Sequence, residues 1–194
     1  MTSPPERQVD RLPPLDFARM TDAQRKAAEE LIAGPRKGVK GPFVPLLRSP
    51  ELLNRMQRVG EYLRFQSALS TRINEFVTLV VARAWTQEFE WFVHLPLAAK
   101  AGTAAETLAA LAQGQRPPAM AADEEAAYDF TTELMTHHGV CDATYARTLA
   151  TFGEQGVMDL VGLIGYFTAI SMVLNVAHTP PETLTGPPLV RFPR

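Results

Sequence analysis

A single cysteine, Cys141, stands among the 194 residues, so no internal disulfide can form and the chain fits a reducing compartment. A cationic surplus is missing too. Against 21 Asp and Glu there are 19 Lys and Arg, a formal net charge of -2, which argues against neutralising a phosphate backbone and hence against a nucleic-acid partner. No run of residues alternates with period two and Asn-Gly turn pairs are absent, which removes the usual signals of strands and hairpins. The opening residues Met1-Thr-Ser-Pro-Pro-Glu-Arg hold no apolar run, so the expectation is a cytoplasmic protein without a signal peptide. Apolar residues, by contrast, make up 46% of the chain, enough to offset the ordering entropy of one domain.

One stretch needs a membrane test. Leu160 to Ala177 carries no formal charge, a length at the lower edge of a spanning helix. Within it Gly162, Gly165, Thr168, Ser171 and Asn175 recur at three- or four-residue steps, a small, weakly polar stripe suited to close helix packing. Glu154 and Asp159 precede it, and no Lys or Arg flanks it nearby. It reads as the buried core helix of a soluble protein.

Residues 1–20, with Pro4, Pro5, Pro13 and Pro14, read as an extended arm; 21–178 form a single helical domain and 179–194 a proline-rich tail. Thr21-Asp22 caps a helix from Ala23 to Ala33 that stops at Gly34-Pro35, and Arg36 to Pro45 is a loop. Ser49-Pro50-Glu51 starts a helix reaching Phe65. Ser70 opens the next, whose Ile73, Phe76, Val77, Val80 and Ala84 make a buried face. A helix from Thr86 to Ala101 should kink at Pro96 and stop at Gly102. Thr103 caps a short helix to Gln113, and Gly114 to Pro118 breaks the chain. Helices Ala122 to His137, Ala143 to Phe152 (capped by Asp142) and Val157 to Ala177 complete an all-α fold of about seven to eight helices.

The segment Gln87-Glu88-Phe89-Glu90-Trp91-Phe92-Val93-His94 carries the candidate chemistry. On a helix Gln87, Glu90 and His94 fall within roughly one-sixth of the circumference, and Glu90 and His94 at i, i+4 can share a proton. Aromatic and aliphatic neighbours surround them, and a buried carboxylate beside an imidazole shifts the pair's pKa values towards neutrality, as acid/base work requires.

Glu75, eleven residues, Gln87, two residues, Glu90, three residues, His94 resembles the carboxymuconolactone decarboxylase and alkylhydroperoxidase D-like superfamily. Its peroxidase branch has cysteines where Gln87 and Glu90 stand; its decarboxylase branch has Glu-x-x-x-His-x-x-x-Ala-x-x-x-Gly, matched by Glu90, His94, Ala98 and Gly102. The resemblance runs from about Arg11 to Pro180 and includes Gly41-Pro42-Phe43, Leu69-Ser-Thr-Arg72 and Gly165-Tyr166-Phe167. It implies an alkylhydroperoxidase D-like helical bundle that assembles into homo-oligomers.

The function it implies is a cofactor-free enzyme that decarboxylates, isomerises or hydrolyses an unsaturated lactone or related small carboxylic acid. His94 is the acid, Glu90 its orienting partner, and Glu75 a second acid/base or a tuner. Phe43, Trp91 and Tyr166 are apolar walls and Gln87 a polar one. Arg72 and Arg83 either pair with Glu75 or Glu88, or one of them anchors a substrate carboxylate. Glu90 and His94 are too few for a zinc site, and no metal or other cofactor is expected. Two other readings stand beside this one. A peroxidase would need Cys141, expected to be buried or half-buried, to reach His94 and to be resolved intermolecularly or by an external thiol; a non-catalytic helical binder would use the Glu–His pair structurally. The apolar helix after Val157 is expected to pack on a second copy, with a dimer as the building block.

Overall fold

The computed structural model describes residues 9–181 and Leu189. Among them are a 3-10 turn, Phe17–Arg19, and eight α-helices: α1 (Asp22–Ala33), α2 (Phe43–Leu46), α3 (Pro50–Phe65), α4 (Thr71–Ala84), α5 (Glu88–Ala101), α6 (Ala105–Ala112), α7 (Ala122–His137) and α8 (Asp142–Ala177). No strand occurs among the described residues, and the all-α reading is borne out. Most of the expected tail lies outside them.

Local chemistry explains the helix ends. Thr21 and Gln24 form a reciprocal capping box at the start of α1. The Ser70 hydroxyl accepts from the Ile73 N–H at the start of α4. Gly102, at φ 103°, closes α5 in the left-handed conformation that glycine adopts without strain. Pro96 removes one backbone bond from α5 but does not end the helix. Two expected caps are not made. Ala104, not Thr103, precedes α6, and Cys141, not Asp142, precedes α8. Two short elements sit where arm and loop were expected, the turn at Phe17 and α2; four residues containing Pro45 are too few to show a helical period. The expected break between the last two helices exists as a single residue, Gly153, at φ 70° and ψ 175° within α8.

The central helix is α4, which packs on α5, α7 and α8 and is buried continuously from Ile73 to Arg83. Ile73, Phe76, Val77, Leu79 and Val81 are fully buried, each contributing roughly 1.5–3 kcal/mol of transfer free energy. They belong to a cluster shared with Trp91, Phe92, Phe130, Leu160 and Leu163. A second cluster joins α1, α2 and α3 through Leu31, Phe43, Leu46 and Leu53 to Phe89 of α5 and to Ile170 and Leu174 of α8. Helices α5 and α8 thus belong to both clusters, and the candidate site lies along their seam. The arm rests on this body from residue 9 onward: the Arg11 N–H donates to the Ala177 carbonyl (2.8 Å) and Arg48 Nη2 to the Pro13 carbonyl (2.7 Å).

Half of the most apolar window of α8 is buried, against α3, α4 and α7, although the helix is long and apolar enough by composition to cross a membrane. Its small-residue stripe does not act as one seam. Gly162 lies against Leu63 and Ser171 is buried, but Gly165 and Asn175 are exposed.

Candidate functional site

Glu75 lies one turn into α4, and His94 lies near the middle of α5, which packs along it. Nδ1 of His94 is 2.5 Å from Oε2 of Glu75, and Nε2 is 3.3 Å from Oε2 of Glu90. All three side chains are buried. The Phe167 ring stands edge-on to the imidazole, with centroids 5.1 Å apart at 85°. Burial alone would lower the His94 pKa, but the hydrogen bonds it donates to Glu75 and Glu90, with their negative charges, outweigh it and push the value up to about 9. With an acceptor at each nitrogen, both nitrogens carry hydrogen and the ring is an imidazolium at neutral pH.

His94 and Glu90 form one end of a cavity of about 370 Å³, the size of a small-ligand site. Glu75 does not line it and supports the ring from behind. Glu75 is thus the nearer of the two acids to the ring, and Glu90 is the one that lines the cavity. Phe43, Phe89, Val93, Tyr166, Phe167 and Ile170 supply the apolar walls. Burial first of all, with the Glu90 charge adding to it against the Arg36 guanidinium, raises the Tyr166 phenol to about 12, so it stays a hydrogen-bond donor. Arg36, Lys40 and Arg64 also line the cavity, and no carboxylate among the described residues forms an ion pair with them.

Phe43 and Tyr166 thus stand in the cavity, whereas three other expected contacts do not. Trp91, 2% exposed, is packed in the first core cluster. Gln87 precedes α5 in an extended conformation (φ -94°, ψ 100°), so helical periodicity does not place it beside Glu90. Its Oε1 instead accepts from the Phe89 N–H at 2.6 Å, and its Nε2 donates to Asn175 Oδ1 at 2.9 Å. Arg72 is committed to Asp123 (2.5 Å) and Glu124 (2.6 Å), fastening α4 to α7 and leaving neither Glu75 nor a substrate as its partner. Arg83 lines a separate cavity of about 180 Å³ with Tyr128 and Met135. Cys141, expected to be at least half-buried, is exposed.

Sequence reasoning missed Arg36, Lys40, Arg64, Phe89 and Phe167. The first two lie in an aperiodic loop, where the one available signal was a cluster of cations beside Gly41-Pro42-Phe43. Among the described residues no group of three or more His, Cys, Asp and Glu side chains is arranged to hold a metal ion.

The fold defines the class: an all-α protein built like the alkylhydroperoxidase D core. The chain superposes on the crystal structure of an alkylhydroperoxidase AhpD core, an uncharacterized peroxidase-related protein from Ralstonia eutropha JMP134. The TM-score is 0.72 at 15% identity, covering 89% of this chain and 92% of that one. It superposes equally on an uncharacterized peroxidase-related protein from Silicibacter sp. TM1040, with a TM-score of 0.71, 18% identity and coverage of 94% and 95%. Residues 50–133 match the carboxymuconolactone decarboxylase family, and the resemblance carried by Glu75, Glu90 and His94 is borne out over that segment. No curated protein matches the sequence.

Proposed function

We propose that the protein is an acid/base enzyme that acts without a cofactor on an unsaturated lactone or a related small carboxylic acid, by decarboxylation, isomerisation or hydrolysis. One observation carries the reading: a buried imidazole, 2.5 Å from Glu75 at Nδ1 and 3.3 Å from Glu90 at Nε2, lines an aromatic-walled cavity together with Glu90.

The chemistry follows from that placement. Removing a proton or CO₂ from carbon conjugated to a lactone leaves a dienolate. Its lifetime depends on a donor near the developing oxygen charge and on a proton returned to carbon. His94 carries a mobile proton on Nε2, and its charge stabilises the dienolate before the transfer. When His94 has given its Nε2 proton to the dienolate, Glu90, 3.3 Å away, returns to it the proton that its carboxylate took from carbon; after CO₂ loss that proton comes from water. Tyr166, neutral up to about pH 12, is a second donor in the same cavity. General acid/base assistance of this kind is worth about 10²–10⁴ in rate.

The test is a panel of unsaturated γ-lactone acids followed by ultraviolet absorbance and CO₂ release, with wild type and His94→Gln compared. Turnover that falls by about 10² or more in folded His94→Gln supports the reading. Turnover unaffected by the substitution, or none on any panel member, contradicts it.

A further inference from the structure

Resting on this acid/base reading, we infer that Arg36, assisted by Lys40 and Arg64, forms a carboxylate-binding subsite at the end of the cavity away from His94. Arg36 and Lys40 lie in the loop before α2, outside residues 50–133 that match the family.

The Arg36 guanidinium lies over the Phe43 ring, its Cζ 4.2 Å from the centroid, a cation–π contact that restrains it. Its Nε is buried and has no hydrogen-bond partner among the described residues. A buried donor left without a partner costs free energy, so the group is poised to take an acceptor if the side chain turns towards the cavity. Nη2 sits beside the Tyr166 hydroxyl over Gly60, the one residue type whose lack of a side chain leaves room for both groups: a Cβ there would stand 2.3 Å from Tyr166 Oη and 3.0 Å from Nη2. The guanidinium is thus stacked and backed, with one donor unused and no ion-paired acid among the described residues. That suits the planar fork of a carboxylate.

The cavity orients what enters it. Arg36 meets Tyr166, Tyr166 meets Phe167 edge-on with centroids 5.2 Å apart, and Phe167 meets His94, so two aromatic rings separate the cationic end from the acid/base end. A ligand with its acid group at Arg36 lays its unsaturated portion along these rings and brings carbon to Nε2 of His94. The carboxylate of Glu90 repels the acid group from the other end, so the reverse orientation is disfavoured.

Isothermal titration calorimetry on the full chain tests the subsite with 2-furoate, 2-furamide and inorganic phosphate as probes. Wild type is expected to bind 2-furoate at least tenfold more tightly than 2-furamide or phosphate. Arg36→Gln should weaken 2-furoate at least tenfold while leaving 2-furamide unchanged, and Arg64→Gln should weaken 2-furoate by a smaller factor. A control, Arg19→Gln, removes an exposed cation elsewhere and should bind as wild type does. Should Arg36→Gln not fold, Arg36→Lys with Arg64→Gln gives the same comparison, because lysine keeps the charge and loses the fork. Equal affinity for acid and amide, tighter binding of phosphate, unchanged 2-furoate affinity after substitution, or no 2-furoate binding at 10 mM each overturns the subsite. The two readings fail separately. Lactone turnover by a protein indifferent to acid and amide would remove the subsite alone, and acid-selective binding without turnover of any lactone would remove the acid/base reading alone.

Discussion

Nδ1 of His94 and Oε2 of Glu75 stand 2.5 Å apart, joining α4 and α5 across 19 residues of sequence inside a buried core. The contact favours the protonated ring and fixes its orientation. Glu75 is a positioning residue in this account. Glu75→Gln keeps the shape but removes the charge, and is expected to cost about 2 kcal/mol of stability in urea unfolding. In any lactone assay that gives turnover, it should also move the alkaline limb of the pH profile towards lower pH. A purely structural Glu75 would change the unfolding midpoint without moving that limb.

The pH dependence of folding has a definite sign. The His94 pKa rises from about 6.5 unfolded to about 9 folded, so the stabilisation is fully present below pH 6.5 and is lost as pH rises through 9. The full difference amounts to roughly 3 kcal/mol. Melting temperatures measured from pH 6 to 10 should fall across that window in wild type, and the part of the slope due to this site should vanish in His94→Gln. A curve of identical slope in the two proteins would show that the ring is not held protonated.

Gly60→Ala separates stability from ligand binding. Alanine gains up to about 1 kcal/mol of helix propensity within α3, while its Cβ would meet the Tyr166 hydroxyl at 2.3 Å. The hydroxyl and the ring carbon that bears it, 2.5 Å from that Cβ, must shift, and Arg36 with them. The expected outcome is a melting temperature within a few degrees of wild type, with 2-furoate affinity reduced at least tenfold. Unchanged affinity would mean that the Tyr166–Arg36 contact does not shape the cavity.

The Glu90–His94 pair was legible because helices show a period, and Glu75 was joined to it only through the family resemblance carried by Glu75, Glu90, His94, Ala98 and Gly102. The roles within it were not. Periodicity places Glu90 beside His94 but says nothing of which acid on a neighbouring helix lies closer, and that distance makes Glu75 the orienting partner. Gln87 was misplaced for a related reason: the 100° step applies only inside a helix, and residue 87 caps one. Trp91 and Arg72 were read as cavity residues from their chemistry, whereas core packing and the Asp123–Glu124 pair had already engaged them. Arg36 and Lys40 reach the cavity from a loop, whose path no periodic signal describes.

Thiol peroxidase chemistry, the other activity the superfamily suggests, makes a contrary prediction. Cys141 is exposed at the start of α8, whereas Phe167, the residue of that helix against His94, lies well beyond the Gly153 break, about 20 Å of helix farther on. Cys141→Ser should leave any peroxide consumption unchanged. Its loss in that variant would establish a thiol route.

Assembly is proposed on the outer face of α8. Met158, Val161, Met172 and Val176 are 62%, 40%, 46% and 64% exposed, and Gly165, exposed between them, permits close approach of a second helix. Sedimentation equilibrium should give at least twice the 21.4 kDa of one chain, and Met172→Glu should lower that mass. A monomer mass at every concentration would refute the assembly.

Deuterium incorporation from D₂O into the acidic carbon position of an unsaturated γ-lactone acid, followed by proton NMR, addresses the central claim directly. It reports proton transfer at carbon whether or not the reaction continues to CO₂ loss, isomerisation or ring opening. Wild type is expected to accelerate the exchange, and folded His94→Gln to retain about 1% of that acceleration or less. Exchange no faster than in buffer, or equally fast in both proteins, would contradict the assignment of His94 as the acid/base group.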